Sequence, residues 1–159
     1  MSAVPQRTIR ELERLAATSR IAYFTMEIAL RPEIHTYSGG LGVLAGDTAR
    51  SCADLELPVV FVTLISRGGY LRQEIDPEGR QLDRPDPWNP TEFASPLGAA
   101  VAIVIEGRDV WVRPWLYVLE GGTGYRTPVI LLDTDLEDNA PDDRGITDRL
   151  YGGDVIPRL

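Results

Sequence analysis

IAYFTMEIALRPEIHTYSGGLGVLAGDTARSCADLELPVVFVTLI, residues 21–65, decides the fold. Residues 21–26 are a short apolar run rich in β-formers and read as a buried strand. Residues 27–38 hold Pro32, His35 and Tyr37 without periodicity and read as a long loop. From Gly39 onward Leu41, Leu44, Ala45, Thr48, Ala49, Cys52 and Leu55 recur at the 3.6 period of a helix, with Pro58 just past its end. Residues 58–65 form a second buried strand. Strand, glycine-rich turn, helix and strand in this order spell a βαβ unit, whose two strands lie parallel.

On the N-terminal side, Thr8 and Glu11 form a capping-box pattern, and Ile9, Leu12, Leu15 and Ala16 share one helical stripe, so a first helix is expected to end near Ser19. On the other side the texture turns antiparallel. Asp76-Pro77-Glu78-Gly79 is a turn between residues 70–75 and 80–84, because proline presets φ and glycine accepts a positive one. Residues 85–96 are irregular and contain Trp88. Gly107-Arg108 separates two further strand-like runs, 100–106 and 109–119. Residues 120–125 are glycine-rich, 127–133 an apolar strand, 135–143 an acidic loop, and 146–151 the beginning of a helix. The expected fold is α/β: a βαβ unit over about 21–65, an antiparallel β-hairpin insertion over about 66–126, and a strand with acidic loop over 127–159. No repeat or linker divides the chain.

Composition narrows the partners. The 159 residues carry 24 acidic and 16 basic side chains, a formal charge of −8, which opposes a nucleic-acid backbone or an anionic membrane surface as main partner. The apolar runs are too short to span a bilayer, and residues 1–14 lack the apolar core of a signal peptide, so the expected location is cytoplasmic. One cysteine and one histidine exclude an internal disulfide and any Cys- or His-rich metal cage, so no metal site is expected. All 16 basic residues are arginine; there is no lysine.

Two features point to a site. Gly39-Gly40-Leu41-Gly42 lies at a helix start, where unpaired N–H groups and the helix dipole favour an oxyanion or phosphate; the bland alternative is a tight turn. Glu27 follows the first strand at its carboxyl end, where α/β folds place ligand groups; its alternative is a solvated loop charge. His35 reads as a partly buried hydrogen-bonder and Cys52 as core packing. Gly121-Gly122-Thr123-Gly124 lacks the Lys-Ser/Thr of a phosphate loop and reads as a flexible hairpin loop. The acids from Asp133 to Asp143 miss the calcium-loop spacing and read as a solvated acidic loop.

Four segments in order, 21–30 (IAYFTMEIAL), 37–47 (YSGGLGVLAGD), 67–73 (RGGYLRQ) and 146–154 (ITDRLYGGD), resemble the N-terminal portion of the α-glucan phosphorylases, the glycogen and maltodextrin phosphorylases. The resemblance implies a partial Rossmann-like N-terminal domain of the glycosyltransferase GT-B arrangement. It implies α-glucan and inorganic phosphate as substrates, glucose 1-phosphate as product, and pyridoxal phosphate carried on a lysine of a second domain. It further implies that Ser38, Gly39, Gly40, Leu41 and Gly42 supply amides to the phosphate and glucosyl region, with Glu27 beside them. Ser38 replaces the Asn of animal and plant enzymes, Leu71 replaces an expected Phe, and after Asp154 the text departs from the family's long helix. A chain without lysine cannot hold the cofactor covalently, so this chain alone is expected to be inactive. It is expected to need a complementing C-terminal polypeptide, or to self-associate through an open sheet edge. The alternatives are a non-catalytic glucan-binding or regulatory module, with Tyr23, Tyr37, Trp88, Trp111, Trp115 and Tyr117 as candidate stacking residues, and a remnant without function.

Overall fold

A computed structural model describes residues 10, 14 and 17–151. Thr8, Ile9, Glu11, Leu12, Leu15 and Ala16 of the expected first helix, and residues 152–159, lie outside the described residues.

The βαβ unit forms as expected. Strand β1 (Ile21–Phe24) leads through a loop to helix α1 (Gly40–Asp54) and strand β2 (Val59–Leu64), and β1 pairs with β2 in parallel from Ile21↔Val59 to Phe24↔Val62. A two-stranded hairpin follows, β3 (Leu71–Ile75) and β4 (Gln81–Pro85). A 3-10 turn (Pro90–Glu92) then precedes β5 (Ser95–Pro96), β6 (Val101–Ile105), β7 (Arg108–Glu120), β8 (Arg126–Asp133) and the single helical turn α2 (Pro141–Arg144). The main sheet has the order β1-β2-β8-β7-β5, with β6 also on β7. The β1, β2 and β8 strands are parallel; β7 turns back antiparallel beside β8. The strands after β4 therefore do not stand apart from the βαβ unit, because β7 and β8 continue its sheet.

Alternation on β2 separates two faces. Val59, Phe61 and Thr63 are buried, while Val60, Val62 and Leu64 are half-buried. Phe61 lies opposite Val129, and Val129 opposite Tyr117, so this row shares one face. It carries the main core with Ile28, Ile34, Ala45, Ala49, Leu131 and Trp115. Removing a ring such as that of Phe61 from a core of this kind costs about 3–5 kcal/mol. Small residues let α1 close on the loop before it: the Ala29 N–H donates to the Gly42 carbonyl at 2.8 Å, and Arg50 Nη2 donates to the carbonyls of Ala29 (3.0 Å) and Leu30 (2.9 Å).

Both expected hairpins are present. In the β3–β4 turn Asp76 Oδ1 accepts from the amides of Glu78 (3.0 Å) and Arg80 (2.8 Å), and Gly79 has φ +80°. Between β6 and β7, Glu106 and Gly107 have φ +51° and +80°, the paired left-handed residues of a two-residue hairpin whose twist suits the strands.

Three expectations change. The strand at 21–26 is not buried: β1 is an edge strand, all four of its residues are exposed, and Phe24 is 75% exposed. Residues 146–151 do not begin a helix. The carbonyls of Thr147 and Asp148 accept instead from the amides of Ser66 (2.9 Å) and Gly68 (2.8 Å), which draws this segment along the extension of β2. The acidic loop is not wholly solvated either. Asp133 and Asp143 are buried, and Asp143 accepts from Arg108 Nε at 2.9 Å and from Arg108 Nη2 at 2.8 Å.

Candidate functional site

The carboxyl end of β1 hands the chain to Glu27, which is 2% exposed. A buried carboxylate is costly unless hydrogen-bonded. Glu27 meets that demand from the start of α1: its Oε2 accepts from the amides of Ser38 (2.7 Å) and Gly39 (3.2 Å). Its Oε1 accepts from the Tyr151 hydroxyl at 2.6 Å. Burial alone would push the Glu27 carboxyl up. Tyr151 and the amides of Ser38, Gly39 and Gly42 outweigh that effect and hold it below the ordinary carboxylate value.

The helix start is therefore an anion site filled from inside the chain. Of the residues singled out in the sequence, the fold brings Glu27, Ser38, Gly39 and Gly42 together. Gly42 is there for space: a Cβ on it would stand 2.3 Å from Tyr37 Cβ and 3.0 Å from Glu27 Oε2. Gly40 and Leu41 stay outside this cluster. A Cβ on Gly40 would meet nothing within 4 Å, and the Leu41 side chain is 68% exposed. Their amides, in the first helical turn, are left without intrahelical acceptors.

His35 is the hydrogen-bonder expected of it. Its Nδ1 lies 2.9 Å from the Asp86 carbonyl oxygen, and its ring stacks on Tyr70 at 4.3 Å. Cys52 packs against the main core, and burial pushes its thiol up, away from a nucleophile. Trp88 and Trp115 are buried, whereas Trp111 and Tyr23 are partly exposed.

Two groups went unrecognised in the sequence. Tyr151 lies 124 residues from Glu27 and carries no local signal of the pairing. The second group is an ionic knot beyond the ends of β2 and β8. Arg67 pairs with Asp133 and, at 2.7 Å, with Asp135; Trp115 Nε1 donates to Asp133 at 2.9 Å, and Arg144 Nε to Asp135 at 2.7 Å. Charged residues at the carboxyl ends of neighbouring parallel strands were the available signal. Among the described residues no group of three or more His, Cys, Asp or Glu could hold a metal ion, and no helix is long and apolar enough to cross a membrane.

No family model matches the chain. Over most of its length, however, it is similar to curated proteins. It is 36% identical over 148 residues to the maltodextrin phosphorylase of Thermococcus litoralis, covering 87% of this chain and 17% of that protein. It is 37% identical over 150 residues to the glycogen phosphorylase of Mycobacterium tuberculosis (91% and 17%), and 32% identical over 147 residues to that of Aquifex aeolicus (87% and 20%). The resemblance to the α-glucan phosphorylases is thus shown, and the chain spans about a fifth or less of the length of these relatives.

Proposed function

We propose that this chain is the N-terminal part of an α-glucan phosphorylase, a partial Rossmann-like domain of GT-B type that supplies one wall of the cleft where phosphate splits an α-1,4-glucan into glucose 1-phosphate. The observation that carries this reading is the Glu27 carboxylate locked onto the Ser38 and Gly39 amides at the start of α1, within a stretch similar to phosphorylases. The internal carboxylate fixes the loop before any substrate arrives, so the loop's shape needs no reordering on binding. Because Glu27 takes the Ser38 and Gly39 amides, the donors left for a phosphate or glucosyl oxygen are those of Gly40 and Leu41, aided by the helix dipole. An open approach at Gly40 suits a ligand that must come close to backbone.

The residues present do not fit pyridoxal phosphate, the cofactor of the full-length family. The chain has no lysine to hold it. The cofactor therefore belongs to another part of the enzyme or to a complementing polypeptide, and this chain by itself releases no glucose 1-phosphate.

A chimera tests the reading: this chain replaces the matching 150 residues of the Mycobacterium tuberculosis glycogen phosphorylase. The chimera is expected to release glucose 1-phosphate from α-1,4-glucan and phosphate. Gly40→Val in it is expected to lower turnover at least about a hundredfold, as for loss of one oxyanion-type donor. A folded, cofactor-loaded chimera without activity, or one indifferent to Gly40→Val, rejects it.

A further inference from the structure

The main sheet ends on one side at β1; on the other, β7 carries β5 and β6. Among the described residues β6 pairs with β7 alone. Natural edge strands are guarded by charged side chains, prolines or bulges. Residues 98–105 (GAAVAIVI) hold neither a charge nor a proline, and Val104 is 71% exposed. Asn139 reveals which backbone groups of β6 are free. Its side chain accepts from the Trp111 N–H at 2.7 Å and donates to the Trp111 carbonyl at 2.7 Å. Trp111 therefore turns its backbone groups away from Ala102, the residue opposite it in the ladder. In an antiparallel pair, opposed residues either exchange both hydrogen bonds or both face away. The N–H and C=O of Ala102 thus point to the open side, and by alternation so do those of Val104. Ile103 points its groups inward to Val110. The two-residue turn at Glu106-Gly107, closed by Ile105 and Arg108, has the same phase.

Symmetry names the occupant. Laid antiparallel on a second copy about Ile103, β6 sets Ala102 against the partner's Val104 and Val104 against the partner's Ala102. Each of these pairs has both sets of backbone groups facing inward and exchanges two hydrogen bonds. Ile103 meets the partner's Ile103 on the axis, and Val101 meets the partner's Ile105, apolar against apolar on one face. Glu106 falls across from the partner's Ala100, so no like charges are opposed although each chain carries a formal charge of −8. The β1 edge is shorter and begins directly after the exposed Arg20, the kind of guard that β6 lacks. We propose that β6 is a self-docking edge: two copies of this chain join β6 to β6 in antiparallel register about Ile103, forming a closed two-fold dimer with one sheet running through both. The pairing uses up the edge in each copy, so association through it stops at two. It rests on the backbone phase of β6 and on its uncharged sequence, independently of the phosphorylase reading.

The test is analytical ultracentrifugation of the full chain across a dilution series, with amide hydrogen exchange read at both ends of it. A dimer is expected at high concentration and a monomer on dilution. The amides of Ala102 and Val104 are expected to be protected in the dimer alone, and that of Ile103 in both states. Val104→Lys is expected to weaken dimerisation at least about tenfold, because it puts a guard charge on the edge of both copies. Ala22→Lys, at the exposed β1 edge, is expected to leave it unchanged. Both substitutions sit at exposed positions, so an unchanged melting temperature shows an intact fold, and the exchange readout on the unsubstituted chain needs no variant at all. A chain that stays monomeric, oligomers that grow past the dimer, or an equal loss in Ala22→Lys would each overturn the proposal. Protection of Ala102 and Val104 at every dilution would overturn it too, and would show that a segment of the chain itself covers the edge.

Discussion

Two glycine-rich loops sit at opposite ends of helix α1, and in the sequence they look like opposites. Gly39-Gly40-Leu41-Gly42 reads as an anion cradle and Gly121-Gly122-Thr123-Gly124 as a flexible turn. In the fold each gives an amide to a carboxylate of the chain itself. Ser38 and Gly39 donate to Glu27 at the helix's positive end. Gly122 donates to Asp54 Oδ1 at 2.7 Å at the negative end, where the dipole disfavours a carboxylate and the amide offsets it. Gly121 packs so closely on the last turn of α1 that an added Cβ would lie 2.6 Å from the Ala53 carbonyl carbon. A glycine's meaning here comes from what its backbone touches. Gly39 and Gly40 both leave open space where a Cβ would stand, but the Gly39 amide is already taken by Glu27, so the open amide is that of Gly40.

The comparison breaks first at the tightest contacts. Gly46→Ala and Gly42→Ala place a Cβ 2.2 Å from the Ala29 oxygen and 2.3 Å from Tyr37 Cβ. Each is expected to destabilise by about 2–4 kcal/mol in urea unfolding, more than helix propensity returns. At the other end Gly121→Ala is expected to cost about 1–3 kcal/mol by the same clash with backbone. If Gly121→Ala is neutral, the second loop is a free turn after all.

Glu27→Gln comes next. It keeps the shape and removes the charge, so a loss of about 1.5–3 kcal/mol is expected at pH 7. The folded pKa of Glu27 lies below its unfolded value, so its contribution is fully present above the unfolded value and fades as pH falls through the folded one. Glu27→Gln therefore flattens the acid limb of a stability-against-pH curve, and an unchanged limb would show the carboxylate is not the anion at the helix start. Tyr151→Phe deletes one donor, costs about 1 kcal/mol, and raises the Glu27 pKa as read by NMR titration of its carboxyl. Gly40→Ala has the smallest effect: the site is open, φ is not positive, and the change is expected to be neutral or to stabilise by up to about 1 kcal/mol. A large loss there would mean Gly40, too, is held by packing.

The βαβ unit and both hairpins were legible because each is written locally: a 3.6 period from Leu41 to Leu55, a Pro-Gly turn at Asp76–Gly79, a glycine at residue 107. The positions of Glu27 and the helix start were legible as well, but their relation was not. It depends on a loop without periodicity folding Ser38 back by 11 residues onto Glu27, and on Tyr151 arriving from 124 residues away. The exposure of β1 was misread for a similar reason. An apolar run shows that a strand wants cover, and only the sheet order shows that β1 ends up at an edge.

The order of strands also sets a sequence of events in time. The β6, β7 and β8 strands follow one another and pair with their chain neighbours, through turns at Glu106-Gly107 and Gly121–Gly124. Joining β2 to β8 must instead bring Phe61 to Val129 and close the whole intervening chain, a non-local contact that slows folding. The meander from β6 to β8 is thus the natural nucleus, with the βαβ unit docking onto it. In pulse-labelling hydrogen exchange the amides of β7 and β8 gain protection first, and those of β1, which among the described residues pairs with β2 alone, gain it last.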